Sequence, residues 1–480
     1  MSAKKNAAYN VAYRVFSILL PLVTAPYLTR TVGQTGKGLY DYAWSISEIF
    51  VIIATMGLTD YGVRAIAKVR DDAKQLSKTF SEIYIMQVLV SLLVLLVWLG
   101  YVAFGAGQEK TIVLHLTMMS VSCLVNIDWC LMGLDQFKSI ALRNTCVKLL
   151  AAASVFIFVK SAADVWIYGF SWSAATLLGC LLCWPGLKGK VHLQRVPFRD
   201  VMKHFLPCML LLVSVLAVRV YRTMDKIMVG AIAGMAQNGL YSSAEQIIYC
   251  LSGFISAIGT VLMPKASNLQ AHGREKQIRG FMELSMKLMM CMTCAMAFGI
   301  ASVADVFAPL FYGEDFAYSG VLMVPLGFTL ILIGFANVVR TQWILPSGND
   351  RLVLKAVSTG AVVNLIINGL LIPTMGAMGA VIGTLFAEAS VPLVQFLFLR
   401  KELPYRRFFR YALTYSVMGV IMLLAVQLVG ALMADSWWEV AVRVLVGAGV
   451  YGGLCLYWWR KTDDREIMHL LHLKRFAKKC

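Results

Sequence analysis

The chain has 480 residues, of which 59% are hydrophobic and 15% are charged, and its formal net charge is +18. This composition leaves too little polar surface for a water-soluble globular protein. No basic stretch is long enough to build a soluble nucleic-acid-binding domain, so the excess of lysine and arginine indicates contact with anionic lipid headgroups and argues against nucleic acid as a partner.

Apolar runs recur along the whole sequence. A helix needs about 20 mostly apolar residues to cross the roughly 30 Å hydrocarbon core of a membrane, and about fourteen runs reach that length. The sequence therefore predicts an all-α integral membrane protein with about 14 transmembrane helices. The predicted spans are 10–32, 39–63, 81–105, 111–133, 141–160, 163–185, 204–230, 238–263, 281–303, 318–339, 353–373, 378–399, 408–433 and 438–459.

The segments between these spans alternate in charge. Basic loops stay on the cytoplasmic side, so the pattern predicts a multi-pass protein of the cytoplasmic membrane with both termini in the cytoplasm. The residues assigned to the cytoplasmic side include Lys4, Lys5, Arg64, Lys68, Arg70, Lys74, Lys78, Lys138, Lys188, Lys190, Arg195, Arg199, Lys203, Lys265, Arg274, Arg351, Arg400, Lys401 and Arg406. The residues assigned to the outer side are Lys37, Lys110 and Lys160, followed by the acids Asp305, Glu314, Asp315, Asp435 and Glu439.

Cysteine usage indicates packing between helices. Most of the 11 cysteines lie in apolar runs, and the pairs Cys180/Cys183 and Cys291/Cys294 lie on predicted helices. A metal site needs further ligands close by, whereas the 6 histidines fall mostly in loops. We therefore expect buried thiols, with no metal and no other cofactor.

A short motif occurs twice at corresponding positions. Gly38-Leu39-Tyr40 opens the second predicted span and Gly239-Leu240-Tyr241 opens the eighth, and an alanine and an isoleucine follow at the same offsets. This predicts two six-helix halves related by a parallel pseudo-repeat, plus two extra C-terminal helices. The predicted segments are an N-terminal half at 1–200, a C-terminal half at 201–402, transmembrane helices 13 and 14 at 403–460, and a basic cytoplasmic tail at 461–480.

Charged residues inside the predicted spans are the candidates for function, because a charge in hydrocarbon needs a partner or a wet cavity. The seventh span carries Arg219, Arg222 and Lys226 on one helix face, with Asp225 beside them. In one interpretation these cations reach the outer headgroups or pair with acids. In the other, the surplus of positive charge binds a diphosphate or another anionic ligand.

Other spans contain isolated charges. The cations Arg14, Lys148 and Lys287 either reach the cytoplasmic interface or add to a cationic cavity. Five acids either pair with a cation as structural elements or bind the proton or sodium ion that couples transport. These acids are Asp41, Glu48, Asp128, Glu245 and Glu388.

Several motifs spread over residues 1 to about 400 recur in one known family. They are Ala25-Pro26-Tyr27-Leu28-Thr29-Arg30, Gly33, Gly38-Leu39-Tyr40, Tyr61-Gly62-Val63-Arg64, Ala67-Lys68, Asp128-Trp129, Gly133, Asp225-Lys226-Ile227-Met228-Val229-Gly230, Tyr241-Ser242-Ser243-Ala244-Glu245, Gln342, Leu345-Pro346-Ser347-Gly348 and Gly376-Ala377-Met378-Gly379-Ala380-Val381-Ile382-Gly383-Thr384. In this order and spacing, the chain resembles the bacterial oligosaccharide flippases of the O-antigen-unit type. These belong to the multidrug/oligosaccharidyl-lipid/polysaccharide (MOP) exporter superfamily.

The resemblance implies a flippase that moves oligosaccharide units linked to undecaprenyl pyrophosphate from the inner to the outer leaflet of the bacterial cytoplasmic membrane, for surface polysaccharide synthesis. It also implies alternating access with a cationic central cavity, in which the cations named above would bind the diphosphate. The expected partners are the lipid-linked oligosaccharide, membrane lipids, and a polysaccharide polymerase or glycosyltransferase complex.

Two other transport functions remain as alternatives. A drug/cation antiporter of the same superfamily would favour acidic over basic cavity residues, and a flippase for a peptidoglycan precursor or a spore-envelope lipid would use the same physics with a different sugar. An enzyme is not expected, because the outer loops are short and contain no nucleophile beside a base.

The cationic face of the seventh span leads to a first prediction. Arg219→Ala and Arg222→Ala should each lower surface polymer synthesis by about tenfold or more, because a charge-assisted hydrogen bond to the diphosphate is lost. The measurement is complementation of a deletion strain at matched protein level. Unimpaired polymer in both variants would remove this face from the mechanism.

Overall fold

The computed structural model describes the backbone of residues 3–107 and 109–462, and the side chains there except those of residues 3–15, 18, 213–215 and 217–222. Within these ranges the chain is helical and contains no strand, so the predicted all-α class is confirmed. The helices are α1 (Ala3–Thr55), α2 (Leu58–Val69), α3 (Ala73–Gly100), α4 (Lys110–Val125), α5 (Asp128–Gly133), α6 (Phe137–Phe158), α7 (Val165–Leu181), α8 (Phe198–Met202), α9 (Phe205–Ala233), α10 (Met235–Ala271), α11 (Glu275–Tyr312), α12 (Ala317–Val339), α13 (Asp350–Met375), α14 (Ala377–Leu399), α15 (Tyr405–Gly430) and α16 (Trp437–Lys461).

Among the described residues, 11 helical segments are long and apolar enough to cross a membrane, which agrees with a multi-pass membrane protein. The predicted spans 10–32 and 39–63 count as one of these segments, Leu19–Val69, and the predicted span 111–133 contains the shorter apolar helix α4 followed by α5. The predicted span 204–230 corresponds to α9, in which several side chains lie outside the described residues. The total of 14 spans stays a prediction.

A kink lies at the first predicted loop. Gly33, with φ of 68° and ψ of −176°, leaves the helical conformation inside α1 and separates two helices at the predicted boundary between the first two spans. Lys37, expected in an outer loop, therefore lies within α1. The second predicted span ends earlier than expected, because Met56 and Gly57 have φ values of 46° and 67°. A left-handed pair of residues ends the helix at Thr55 and lets the chain begin α2 in a new direction.

The predicted fourth span is also interrupted. α4 ends and α5 begins around Asn126 and Ile127, which leave the helical conformation with ψ values of 117° and 18°. The prediction of a continuous helix over 111–133 is wrong. Hydropathy measures only how apolar the side chains are, so it cannot reveal a break whose backbone polar groups bond to another helix.

A buried glutamine satisfies the polar groups that this break exposes. Gln87 of α3 donates from Nε2 to the carbonyl oxygens of Cys123 at 2.6 Å and Asn126 at 2.8 Å. Its Oε1 accepts from Nε1 of Trp129 at 2.8 Å. An unpaired carbonyl in hydrocarbon would cost several kcal/mol, so Gln87 makes the interruption tolerable.

The chain divides into two compact units, Met1–Gly239 and Leu240–Cys480, and the division falls within α10. In the first unit, α1, α3, α4 and α7 surround an apolar cluster that includes Trp98, Leu116 and Tyr168. In the second unit, α11 packs against α12, α15 and α16, and α13 pairs with α14. The predicted half boundary at residue 200 and the predicted pseudo-repeat stay predictions.

The glycines of the repeated motif approach each other closely. A Cβ on Gly38 would collide with the carbonyl oxygen of Met235, and a Cβ on Gly239 would collide with the carbonyl oxygen of Gln34. Each glycine thus faces the residue four positions before the other glycine. Asn238 adds a hydrogen bond from Nδ2 to the carbonyl oxygen of Gly38 at 2.8 Å. Only a residue without a side chain permits this backbone contact.

This contact leads to a second prediction. Gly38→Ala and Gly239→Ala should each destabilise the folded protein by at least about 1–3 kcal/mol, because the backbone carbonyl in the way cannot rotate aside as a side chain would. The measurement is thermal unfolding of the detergent-purified chain. Gly299→Ala in α11 is the control, since its Cβ would meet nothing within 4 Å. Equal melting temperatures for all three variants would contradict the argument.

Candidate substrate-binding site

Helices α1 and α9 of the first unit pack against each other in antiparallel directions. A Cβ on Gly57 would lie 2.8 Å from Cβ of Leu211, and a Cβ on Gly230 would lie 2.5 Å from the ring of Tyr42. These two contacts bracket the interface, which we call the α1–α9 seam. Residues 219–226 of α9 therefore run beside the stretch of α1 that lies between the two contacts.

α9 carries two of the predicted residues whose side chains the structure describes. Asp225 is 3% exposed, Lys226 is half-buried, and both interact with other groups. Lys226 lies one helical turn before Gly230, on the same face of α9, so it belongs to the side that packs on α1. The side chains of Arg219 and Arg222 lie outside the described residues, and their role stays a prediction.

α1 contributes two predicted acids. Asp41 forms an ion pair with Lys37, one turn earlier, and the two side chains are 13% and 8% exposed. Because both side chains are largely buried, water solvates neither charge well, and each charge is stabilised mainly by the other. Glu48 follows two turns later on the same helix, is half-buried, and interacts with other groups. Asp41 and Glu48 therefore lie two turns apart on one face of α1, and Asp41 has a cationic partner on the same helix.

A predicted cation of α6 also reaches α1. Lys148 is half-buried, and its Nζ lies 3.1 Å from Oγ of Ser17. Ser17 lies three residues after Arg14 on α1, so the packing of α6 on α1 places two predicted cationic positions on neighbouring helices. The side chain of Arg14 lies outside the described residues.

Asp128 has a cationic partner that the sequence pattern did not identify. Arg143 of α6 contacts both carboxylate oxygens of Asp128, with N–O distances of 3.0 Å and 3.2 Å. The guanidinium group also donates to Oδ1 of Asn144 at 2.6 Å, and the thiol of Cys183 lies 2.8 Å from Asp128 Oδ1. Asp128 therefore forms a structural ion pair, which is one of its two predicted roles.

The remaining predicted residues belong to the second unit. Lys287 of α11 lies over the ring of Tyr411 of α15, with Nζ 5.5 Å from the ring centre. The hydroxyl of Tyr411 donates to Glu283 at 2.6 Å. Lys287 thus borders one of the two helices predicted to stand outside the six-helix halves. Glu245 of α10 and Glu388 of α14 are half-buried, and both interact with other groups.

One buried ionisable cluster escaped the sequence analysis. Glu82 of α3, whose side chain is 2% exposed, has Nζ of Lys203 at 2.7 Å and Nε2 of His204 at 3.0 Å from its Oε2. The hydroxyl of Tyr61 lies 2.6 Å from Nδ1 of His204. An ionised carboxylate only accepts hydrogen bonds, so Nε2 of His204 is the donor to it. The cluster connects α2, α3 and the start of α9.

The sequence contains no signal for this cluster. Glu82 is the second residue of a predicted span and Lys203 lies in a basic segment, so both were expected at the membrane surface. The cluster forms only through contacts between residues far apart in the chain. Glu82 and His204, for example, are 122 positions apart.

The thiols are arranged as expected for packing. The cysteines of the described residues are buried except Cys146, which is exposed, and Cys291, which is partly buried. Over the same part of the chain, no group of three or more His, Cys, Asp or Glu side chains is placed to hold a metal ion.

Comparison with known proteins places this architecture among polysaccharide-related membrane proteins. The sequence model of a family described as "Polysaccharide biosynthesis protein" matches residues 3–270. The chain is 22% identical over 411 residues to a protein of Escherichia coli K12 named "Putative O-antigen transporter", covering 84% of this chain and 98% of that protein. It is 22% identical over 384 residues to the "Probable low-salt glycan biosynthesis flippase Agl15" of Haloferax volcanii, covering 78% of this chain and 79% of that protein.

Solved structures agree on the fold. The lipid II flippase MurJ in an inward closed conformation matches with a TM-score of 0.76 and 16% identity, over 96% of this chain and 100% of that one. An inward-facing multidrug resistance transporter of the MATE family, from the MOP superfamily, matches with a TM-score of 0.57 and 15% identity, over 82% and 98%. These likenesses show a MurJ/MATE-like helical fold, and the total of 14 spans and the pseudo-repeat stay predictions.

The Asp128–Arg143 pair leads to a third prediction. Asp128→Asn and Arg143→Met should each lower stability by about 1–3 kcal/mol, because each leaves a poorly solvated charge without its partner. The double variant should lose less than the sum of the two, since no unpaired charge remains. Thermal unfolding measures the stability, and surface polymer measures function in the same strains. A well-folded double variant that makes no polymer would contradict a purely structural role for Asp128.

Proposed function

Because the chain belongs to the polysaccharide biosynthesis protein family, we propose that it is a membrane flippase for a lipid-linked saccharide. The observation that carries this proposal is the family match over residues 3–270, supported by relatives whose names describe an O-antigen transporter and a glycan flippase. These relatives are named as transporters, which supports a function without catalysis. In its finer form, the proposal is that the chain moves oligosaccharide units on undecaprenyl pyrophosphate from the inner to the outer leaflet of the bacterial cytoplasmic membrane, by alternating access, for surface polysaccharide synthesis.

The buried cations of the first unit suit such a substrate. A lipid-linked saccharide has a doubly phosphorylated head that loses its hydration when it enters the membrane, and charge-assisted hydrogen bonds replace part of that loss. Lys148 and Lys226 are half-buried on α6 and α9, and both of these helices pack against α1. We propose that they contact the diphosphate together with Arg14, Arg219 and Arg222, whereas Lys287 borders α15 and is the least supported member of the set.

Ion coupling forms a separate part of the proposal. Glu48, Asp225, Glu245 and Glu388 are the acids through which a proton or a sodium ion would couple to transport, because an acid inside a membrane-spanning helix needs a partner or a bound cation. Partners in the membrane would be a polysaccharide polymerase or a glycosyltransferase complex, which take up or supply the same lipid-linked saccharide.

Deletion of the gene tests the function. The proposed flippase predicts loss of surface polysaccharide and accumulation of the lipid-linked unit in the inner leaflet, with drug resistance and growth unchanged. Loss of drug resistance with normal polymer would instead indicate an antiporter, and loss of viability with normal polymer would indicate a flippase for a peptidoglycan precursor. Either of these outcomes would overturn the proposal.

A fourth prediction concerns the described cations. Lys148→Gln and Lys226→Gln should each slow translocation of a fluorescent undecaprenyl-diphosphate saccharide in proteoliposomes by about tenfold or more, the effect of losing one charge-assisted hydrogen bond. Lys461→Gln is the matched control, because this lysine is exposed at the end of α16. Equal rates in all three variants would show that neither Lys148 nor Lys226 takes part in transport.

A further inference from the structure

A buried histidine lies between a carboxylate and a phenol at the start of α9. His204 directly precedes this helix and is 5% exposed. Its Nε2 lies 3.0 Å from Oε2 of Glu82, and its Nδ1 lies 2.6 Å from the hydroxyl of Tyr61. Tyr61 belongs to α2 and Glu82 belongs to α3, so the imidazole connects three helices. Each ring nitrogen therefore has a polar partner within the protein.

The hydroxyl of Tyr61 suits both protonation states of this imidazole. Nε2 donates to Glu82, so Nδ1 of the neutral ring carries no hydrogen and accepts the hydroxyl hydrogen of Tyr61. When Nδ1 binds a proton it becomes a donor, and the same hydroxyl oxygen can accept from it. His204 can thus gain or lose a proton while both ring nitrogens keep a hydrogen bond. Histidine is the side chain whose ordinary change of charge falls near neutral pH.

The carboxylate beside His204 has an unsatisfied oxygen. The side chain of Glu82 is 2% exposed, and its Oε2 receives Nζ of Lys203 at 2.7 Å in addition to the imidazole. Its Oε1 is buried and accepts no hydrogen bond from any described residue, and Nζ of Lys78 lies 3.8 Å from it. A buried anion in this state is stabilised by a further positive charge at its side. A proton on the adjacent imidazole supplies that charge.

The other charges around His204 balance one another. Lys203 pairs with Glu82, and Lys78 of α3 lies 3.3 Å from the carboxylate of Asp200 on α8. From α2, the exposed Arg64 acts on Tyr61, and the thiol of Cys208 on α9 does the same. The two lysines and the two acids cancel, so a proton on His204 adds one net charge at the centre of the group. The side chains of Lys78 and Lys203 are half exposed, which brings water to its edge.

We propose that His204 binds a proton, with Glu82 and Tyr61 as its two partners, and that this proton couples to transport through α9. The inference rests on the proposed function and adds a site outside the four acids considered there. A charged imidazole holds the start of α9 to α3 more tightly than a neutral one, because charge-assisted hydrogen bonds are roughly twice as strong. Loss of the proton therefore loosens the start of the helix that carries Lys226 about 32 Å further along.

The pH dependence of translocation tests the coupling. The full chain is placed in proteoliposomes with the same buffer on both sides, and the rate for a fluorescent undecaprenyl-diphosphate saccharide is measured from about pH 5.5 to about pH 8. The wild-type rate should rise by about fivefold or more as His204 loses its proton and α9 is released. A rate that is flat or falls over this range would overturn the inference.

His204→Gln is the decisive variant. A glutamine amide can donate to Glu82 and accept from Tyr61, as the neutral imidazole does, but it cannot bind the proton. This variant should keep the rate of the wild type at high pH and lose the rise. His115→Gln is the matched control, because His115 is half-buried on α4 and its Nδ1 bonds to the carbonyl oxygen of Thr111. An unchanged pH profile in His204→Gln, or the same loss in both variants, would contradict the assignment to His204.

Tyr61→Phe separates protonation from simple packing. It removes the oxygen that accepts from the charged ring, so a higher proton concentration is needed to charge His204. The half-maximal rate should therefore move to lower pH, with the rate at high pH retained. A uniform loss of rate at every pH, with no displacement of the profile, would indicate a structural contact and would overturn the proposed proton site.

Nitrogen NMR tests the site without any substrate. The chain contains 6 histidines, and the ring signals that are missing from His204→Gln identify His204 in protein labelled with 15N-histidine in liposomes. These signals should change from the neutral to the charged pattern over the same pH range. If they do not change while gene deletion abolishes surface polymer, the proton site is excluded and the flippase function stands. If they change while deletion leaves the polymer intact, the site binds protons and both the flippase function and its coupling are wrong.

Discussion

Hydrocarbon offers no hydrogen-bond partners, so each polar group that this chain places within the membrane has to be satisfied by the protein itself. At the interruption between α4 and α5, the side chain of Gln87 donates hydrogen bonds to two backbone carbonyls and accepts one from an indole. At the contact between Gly38 and Met235, the backbones come so close that no side chain fits between them. The first of these places is a break in a helix and the second is an unusually close contact between two helices. In both, a neighbouring helix makes the arrangement possible.

The same constraint organises the charges. Asp128 depends on Arg143, Glu82 depends on Lys203 and His204, and in the second unit Arg443 of α16 contacts Asp305 of α11 at 2.9 Å and Glu439 at 2.6 Å. Because a buried charge that loses its partner is strongly destabilising, these pairs hold particular helices next to each other. Lys148 and Lys226 lie among the predicted cationic positions, and their role in binding an anionic substrate stays a proposal.

The proposed substrate is amphiphilic, so it would use both the half-buried cations and the apolar surface of one protein. Its phosphorylated head needs positive charge at membrane depth, and its isoprenoid tail needs only a continuous apolar surface. The first unit provides half-buried cations where α6 and α9 meet α1, and an apolar groove between α6 and α7.

Composition, hydropathy and the alternation of basic segments were sufficient to predict an all-α membrane protein and the approximate position of its spans, because these depend on windows of about 20 residues. The family resemblance depended on short motifs in a fixed order along the chain. The candidate charges were also visible in the sequence, since any ionisable residue in an apolar run stands out. Their partners were not. Arg143 pairs with a residue 15 positions away, His204 with one 122 positions away, and Asn238 with one 200 positions away. The packing of distant helices decides which charges are neutralised, where a span breaks and which positions require glycine. No local pattern in the sequence records that packing.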